Sequence, residues 1–281
     1  MNRELSIDAL LPPEMARRAE YIGVSKAEAP ALRTFVLAIL AGAFIALGAI
    51  FATTISAGTS NELPFGVTKL LVGFVFCLGL VLVVIGGAEL FTGNNLIVMA
   101  WASRKVSTAA LLRNWGIVYV GNFVGSIGTA ILIILSRQYT FGGGMVGSSA
   151  LAIANGKVNF GWFQALMLGL LGNILVCLAV WLTFSARSTI DKIATIIFPI
   201  TAFVAAGFEH SVANMYFVPV ALMIESFDPA FVTTTGLELT NLTWSNFLVN
   251  NLLPVTIGNI IGGSFFVAAV YWSVFLRNTE R

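Results

Sequence analysis

The sequence predicts an all-α membrane protein with six transmembrane helices in an inverted 3+3 repeat, helices two and five being broken. Three observations carry this. The 281 residues are 58% hydrophobic and 10% charged, with mean hydropathy +0.91, whereas a soluble domain carries about a quarter charged residues. Six apolar stretches each approach the roughly 20 residues that a helix needs to cross a bilayer core. Two of them are interrupted by glycines, a carboxylate and amides, at a depth where such groups line a cavity or a path. The ten-residue alternation of a membrane β-barrel is not seen. A net charge of +2 is too small to suggest a nucleic-acid partner.

Residues 1–33 are expected to form a cytoplasmic N-terminal segment, polar and mixed in charge. Pro12 and Pro13 suit the first turn of a helix. Met15, Ala19 and Ile22 then recur on one face, which predicts a short amphipathic helix on the protein or at the membrane surface. A solvated tail with some helix and a gate over the pore are both open readings. No cleavable signal peptide is expected, because the first long apolar run begins near Phe35 behind a long polar stretch. The pore domain is expected over 34–277 and a cytoplasmic tail over 278–281.

The first span is expected over 34–57, where Gly42 and Gly48 allow close helix contact. The second runs from 65 to its interruption at Glu89 and resumes over 96–101. The third covers 111–135, with Asn114 and Asn122 marking its inward face. The fourth covers 160–184. The fifth covers 193–220 and contains the second interruption, and the sixth covers 247–276. The stretches 136–159 and 221–246, rich in Gly, Ser, Thr and acidic residues, read as loops. Trp101, Trp115, Trp162, Trp244 and Trp272 near the span ends are expected to form interfacial belts.

Charge orients the set. With the N-terminus in the cytoplasm, the inner segments hold Arg3, Arg17, Arg18, Lys26, Arg33, Arg104, Lys105, Arg113, Arg187, Lys192, Arg277 and Arg281. The outer segments hold only Lys69, Arg137 and Lys157. Both termini are therefore expected in the cytoplasm.

A weak internal repeat relates spans one to three to spans four to six. Glu89 aligns with Glu209 and Asn94 with Asn214. Gly121-Asn122-x-x-Gly125 aligns with Gly258-Asn259-x-x-Gly262. Three spans per half is an odd number, so the halves would have opposite orientation, the arrangement of transporters whose site lies between broken helices.

The chemistry concentrates at the interruptions. His210 is the only histidine and can change charge near neutral pH; a neutral histidine bonded to backbone is the alternative. Glu209 and Glu89 can hold freed backbone N–H groups or meet substrate directly. A break fixed in that way can aim a helix N-terminus at an anion. Thr92 offers a hydroxyl that satisfies its own break or binds a small oxyanion opposite His210. Asn173 and Asn214 suit interhelical hydrogen bonds or a path lining. Lys157 is either an interfacial lysine reaching for water or an electrostatic lure for anions. Phe76, Leu80, Leu90 and Phe203 lie near the breaks and can narrow a path into apolar constrictions. Because Leu90 aligns with His210, only one half supplies a titrating group. Cys77 and Cys177 read as buried small hydrophobes. No phosphate-binding glycine loop, metal-ligand set or Asn-Pro-Ala pair is present, so ATP hydrolysis, a metal centre and an aquaporin proper are not expected, and no cofactor is implied.

Three stretches resemble the formate/nitrite transporter family. They are Gly87-Ala88-Glu89-Leu90-Phe91-Thr92, Gly207-Phe208-Glu209-His210-Ser211-Val212-Ala213-Asn214-Met215, and the run from Asn251 to Gly263. The likeness extends over nearly the whole chain. Leu11-Pro12-Pro13-Glu14-Met15-Ala16 and Asp191-Lys192 after Arg187-Ser188 favour its formate-channel branch over the nitrite channels. Glu89 departs from the Asp expected there and keeps the charge.

The resemblance implies an aquaporin-like protomer in a homopentamer, each protomer with its own pore, in a bacterial inner membrane. It implies that Thr92 and His210 meet at a central site, with Glu209 holding His210 and Asn173 and Asn214 nearby. Lys157 would draw anions into the outer vestibule. Phe76, Leu80, Leu90, Phe203 and Val176 would form two constrictions. The N-terminal helix would modulate opening, and a cytoplasmic formate-producing enzyme is a conceivable partner for it. The implied substrate is formate, passing with a pH-dependent, proton-linked step. A nitrite or hydrosulfide channel, a neutral-solute channel of glycerol-facilitator type and a membrane enzyme are the competing readings. The last is disfavoured by the absence of a metal or nucleophile constellation.

Overall fold

The computed structural model describes residues 9–277. Arg3 and Arg281 of the charge count, and the expected 278–281 tail, lie outside the described residues. Among the described residues the regular structure is entirely helical.

Helix α1 (Pro12–Glu28) opens with prolines in its first turn, as expected for residues whose N–H groups would be orphaned there. Its buried face is Met15, Ala16, Ala19, Gly23 and Ala27, and Ile22 is half-buried. That face packs on Leu96, Ile97, Met99 and Ala100, so the helix lies on the protein. A Lys105–Glu20 ion pair at 2.6 Å and a bond from Arg18 to the Phe184 carbonyl at 3.3 Å tie it down.

Helices α2 (Ala31–Ser56) and α3 (Phe65–Gly86) follow. After α3 come a 3₁₀ turn (Gly93–Ile97) and the short α4 (Val98–Ala102). Next are α5 (Thr108–Ser136), α6 (Met145–Val158), α7 (Trp162–Thr183) and α8 (Thr189–Ala205). The chain ends with α9 (Ser211–Phe227), α10 (Pro229–Thr235) and α11 (Trp244–Phe275). Helices α2, α3, α5, α7 and α11 are long and apolar enough to cross a membrane; α9 and α10, bent by 108°, make a sixth candidate if taken as one span.

The two Gly-Asn-x-x-Gly motifs seat α5 on α2 and α11 on α7. A Cβ on Gly125 would stand 2.0 Å from the Ile39 carbonyl oxygen, and one on Gly262 would stand 2.2 Å from that of Leu170. Only glycine permits that approach. Each interruption begins in the same way, since Gly87 after α3 and Gly207 after α8 both take φ +73°.

Two expectations are corrected. The stretches read as loops hold helices: 136–159 contains α6, while α9 runs on to Phe227 and is followed by α10. In α6 the buried residues Val146, Ala150, Leu151, Ala154 and Val158 recur at helical spacing, a stripe masked by the surrounding Gly and Ser. Trp115, assigned to an interfacial belt, is half-buried instead. Its indole N–H donates to the Asn94 carbonyl at 3.1 Å.

Candidate functional site

Each interruption leaves backbone groups that need partners at membrane depth. At the first, the N–H of Glu89 donates to the Leu37 carbonyl at 3.1 Å. The Asn122 amide closes the gap on both sides. It donates to the carbonyls of Ala38 and Glu89, each at 2.8 Å, and accepts from the N–H of Phe91 at 2.9 Å. At the second, the N–H of Glu209 donates to the Leu168 carbonyl at 3.1 Å. Asn259 donates to the carbonyls of Gly169 (2.7 Å) and Glu209 (3.1 Å) and accepts from the N–H of Ser211 at 2.9 Å. The same bonds recur, residue for residue.

The carboxylates sit in matching clusters. Lys26 Nζ lies 2.9 Å from Glu89, Asn94 donates to Glu89 at 2.7 Å and to Asn114 at 2.9 Å, and Asn114 donates to the Lys26 carbonyl at 3.0 Å. Lys157 Nζ lies 2.6 Å from Glu209. Asn214 donates to Glu209 at 2.6 Å and to Asn251 at 2.8 Å, and Asn251 donates to the Lys157 carbonyl at 2.9 Å. Both carboxylates accept from every partner, which is the bonding of an ionised group. Lys157, open between an interfacial lysine and an anion lure, ends α6 with 14% of its side chain exposed.

The breaks meet at one bond. Thr92 Oγ1 and His210 Nε2 are 2.8 Å apart, and both residues are buried. His210 is also the N-cap of α9, where its Nδ1 accepts the N–H of Ala213 at 3.0 Å. In neutral imidazole one nitrogen donates and the other accepts. The cap therefore assigns the proton to Nε2, which donates to Thr92 Oγ1. The threonine's own hydroxyl hydrogen is left for another acceptor. A proton placed on Nδ1 would face the Ala213 N–H and break the cap.

Two cavities lie near the pair; His210 lines the second, and Thr92 lines neither. The first, of about 230 Å³, lies against α1 and is lined by Lys26, Leu80, Glu89, Leu90 and Asn94 among others. The second, of about 550 Å³, is lined by Lys69, Phe76, Lys157, Phe203, Glu209 and His210 among others. Phe76 and Phe203 are in ring contact at 6.1 Å, and Phe203 lies 6.0 Å from the imidazole. Val176 is buried in the core and lines neither cavity.

Asn173 also lines neither. It donates to the Thr92 carbonyl (3.3 Å), to Asn95 (2.9 Å) and to the Asn259 carbonyl (2.7 Å), and so fixes the backbone that carries Thr92. Cys177, read as an inert filler, donates to that same Thr92 carbonyl at 3.3 Å. Among the described residues, no cluster of His, Cys, Asp and Glu could hold a metal ion.

Sequence reasoning missed Lys26 as a cluster member. The signal was there: Lys26 precedes Leu37 by the same eleven residues that separate Lys157 from Leu168. Extending the repeat upstream of the first span pairs α1 with α6.

The family model for the formate/nitrite transporter matches residues 13–273. The chain is 44% identical over 285 residues to the formate channel FocA of Escherichia coli (strain K12), covering all of both chains. It is 41% identical to the formate channel FocA of Haemophilus influenzae, covering 95% of each. It is similar to a solved structure described as a pentameric formate channel with formate bound. There the identity is 48% and the TM-score 0.82, over 88% of this chain and 98% of that one. The chain belongs to the formate/nitrite transporter family.

Proposed function

We propose that this member of the formate/nitrite transporter family is a multi-pass membrane channel that carries formate. The observation that carries the reading is the buried Thr92–His210 bond, with His210 lining one cavity and the neighbours of Thr92, Leu90 and Gly93, lining another. Formate channels among the relatives support the substrate.

The protomer has six spans in an inverted 3+3 repeat, with the second and fifth broken. The recurring bonds around Asn122 and Asn259 support it. The α8–α9 break divides the fifth span, and α10 lies beyond it. The pentameric relative supports a homopentamer, the bacterial relatives support a bacterial cytoplasmic membrane, and the charge balance favours both termini in the cytoplasm. The first cavity then opens to the cytoplasm and the second to the outside.

A formate ion entering an apolar constriction loses its hydration at large cost, whereas formic acid does not. Leu80 and Leu90 bound the inner cavity, and Phe76 and Phe203 the outer one. The Thr92 hydroxyl, supported from behind by His210 Nε2–H, donates to a formate oxygen between them. A proton taken up from water in the adjoining cavity joins the substrate at this pair, which stays neutral throughout, so formate crosses neutralised or together with a proton. The broken-helix N-termini favour the anion on approach, and Lys157 meets it in the outer cavity beside His210. The exposed face of α1, with Arg17 and Tyr21, is the proposed contact for a cytoplasmic formate-producing enzyme.

Stopped-flow flux of proteoliposomes with formate, nitrite, hydrosulfide and glycerol at two pH values tests this. Formate should pass with a strong pH dependence and glycerol should not pass. The variant His210→Phe should lose the pH dependence while keeping its oligomer. Rapid glycerol flux, or formate flux indifferent to pH in the wild type, would replace this reading with a neutral-solute channel.

A further inference from the structure

Two lysines line the outer cavity, and they are not equivalent. Lys157 is closed into an ion pair 2.6 Å from Glu209, with 14% and 3% of the two side chains exposed. Seen from a few ångströms away, the charges of such a pair cancel. Lys69 is different. Among the described residues its ammonium makes no hydrogen bond or ion pair, and it stands 5.4 Å from the centre of the exposed Phe65 ring. No carboxylate other than Glu209 lines this cavity. The excess positive charge of the cavity therefore resides on Lys69.

We infer that Lys69 forms an encounter subsite for a small monovalent anion at the mouth of the outer cavity, ahead of the Thr92–His210 pair. The inference rests on the proposed anion permeation. An unpaired cation at the rim of a cavity walled by Phe76, Phe160, Phe203 and Phe217 acts through a low-dielectric lining that focuses its field. The Phe65 face holds the ammonium by a cation–π contact without neutralising it. Ser149, on the same lining, has a hydroxyl without a hydrogen bond among the described residues and offers it to the held anion. Lys157, by contrast, is compensated by Glu209 and meets an anion only through the ammonium hydrogens that its ion pair leaves spare. The division of labour is capture at Lys69 and hand-over at Lys157.

The test is inward formate flux into proteoliposomes as a function of ionic strength. At about 10 mM salt, Lys69→Gln should lower the flux several-fold and Lys69→Glu by about tenfold or more, within the range for electrostatic steering. At about 0.5 M salt the differences should fall below about twofold, because screening then acts over a few ångströms. Lys69→Arg should retain the wild-type rate. Lys69→Cys, with Cys77 and Cys177 buried, allows a chemical check on one folded protein. A cationic thiol reagent should restore the flux and an anionic one should depress it. Wild-type protein that carries no formate at all would overturn the functional reading. Wild-type flux matched by Lys69→Gln and Lys69→Glu at every salt concentration, with no response to reagent charge, would overturn the subsite and leave the channel standing.

Discussion

The two carboxylate clusters are built from the same residue types and differ by two hydrogen bonds, one of them a 3.3 Å bond from Asn251 to Glu209 that the first cluster lacks. Lys26 reaches two acceptors, Glu89 and the Asn94 side-chain oxygen, each at 2.9 Å. Lys157 reaches Glu209 alone, and the corresponding oxygen of Asn214 is buried without a partner. The first cluster is closed on itself. The second leaves an acceptor empty and its lysine with spare donors facing a larger cavity. At the next position the first half has Leu90 and the second has His210. A repeated bracket fixes both breaks, and the departures from the repeat mark where chemistry is supplied.

The largest expected effect separates the clusters by burial. Removing one member of a buried ion pair costs about 3–5 kcal/mol, because the other charge is left uncompensated. Glu209→Ala should approach that in denaturant unfolding in detergent. Glu89→Ala should cost less, since its pair is more exposed, at 28% and 13% against 14% and 3%. Equal losses would show that burial does not distinguish them.

The next effect comes from removing the chemical asymmetry. His210→Leu makes the two positions alike. It should lower formate flux by about tenfold, the equivalent of about 1.4 kcal/mol, and flatten its pH profile. The lost cap on α9 should cost about 1 kcal/mol of stability. A pH profile unchanged in this variant would place the proton step elsewhere.

A smaller effect probes what the halves share. Gly87 and Gly207 have equal φ and open space where a Cβ would stand. Gly87→Ala and Gly207→Ala should therefore each cost about 1–2 kcal/mol from backbone strain alone, to within experimental error of one another. A clear inequality would mean that one break is strained beyond its backbone.

The smallest concerns a feature of one half only. Helix α8 starts with a capping box in which Ser188 and Asp191 exchange bonds at 2.9 and 3.1 Å, whereas α3 starts at Pro64 with no side-chain cap. The N–H of Ser188 is the main cause that holds the Asp191 carboxyl below its ordinary value of 3.8. Such a group stabilises the fold fully above the unfolded value and loses that contribution as pH falls through the lower folded value. Asp191→Asn should thus weaken the protein slightly at neutral pH. The difference from wild type should shrink as pH falls through the lowered folded value, which pH-resolved unfolding would reveal.

Much of this was legible from residue types. The carboxylates, the lone histidine and the Gly-Asn-x-x-Gly motifs stand out against apolar runs because polar groups are rare at that depth. Helix α6 was not legible as a helix, since its stripe of small and aliphatic residues is shared with glycine and serine. Lys26 was hidden because it precedes the first span, where a charged residue is unremarkable. The roles of Asn173 and Cys177 as supports of the Thr92 carbonyl depend on contacts between distant segments, which spacing along the chain does not encode. The widening of α11 into π-helix over Phe247–Leu252 and Ile261–Ala269 left no sign in its composition.

His210 holds two offices: it faces Thr92 through one nitrogen and caps α9 through the other. The amide of Ala213 is therefore a built-in reporter of the imidazole. Whenever a proton occupies Nδ1, that amide loses its acceptor and its exchange with solvent is set free. Hydrogen exchange at a single backbone position would read the chemical state of the pore without any substrate in it.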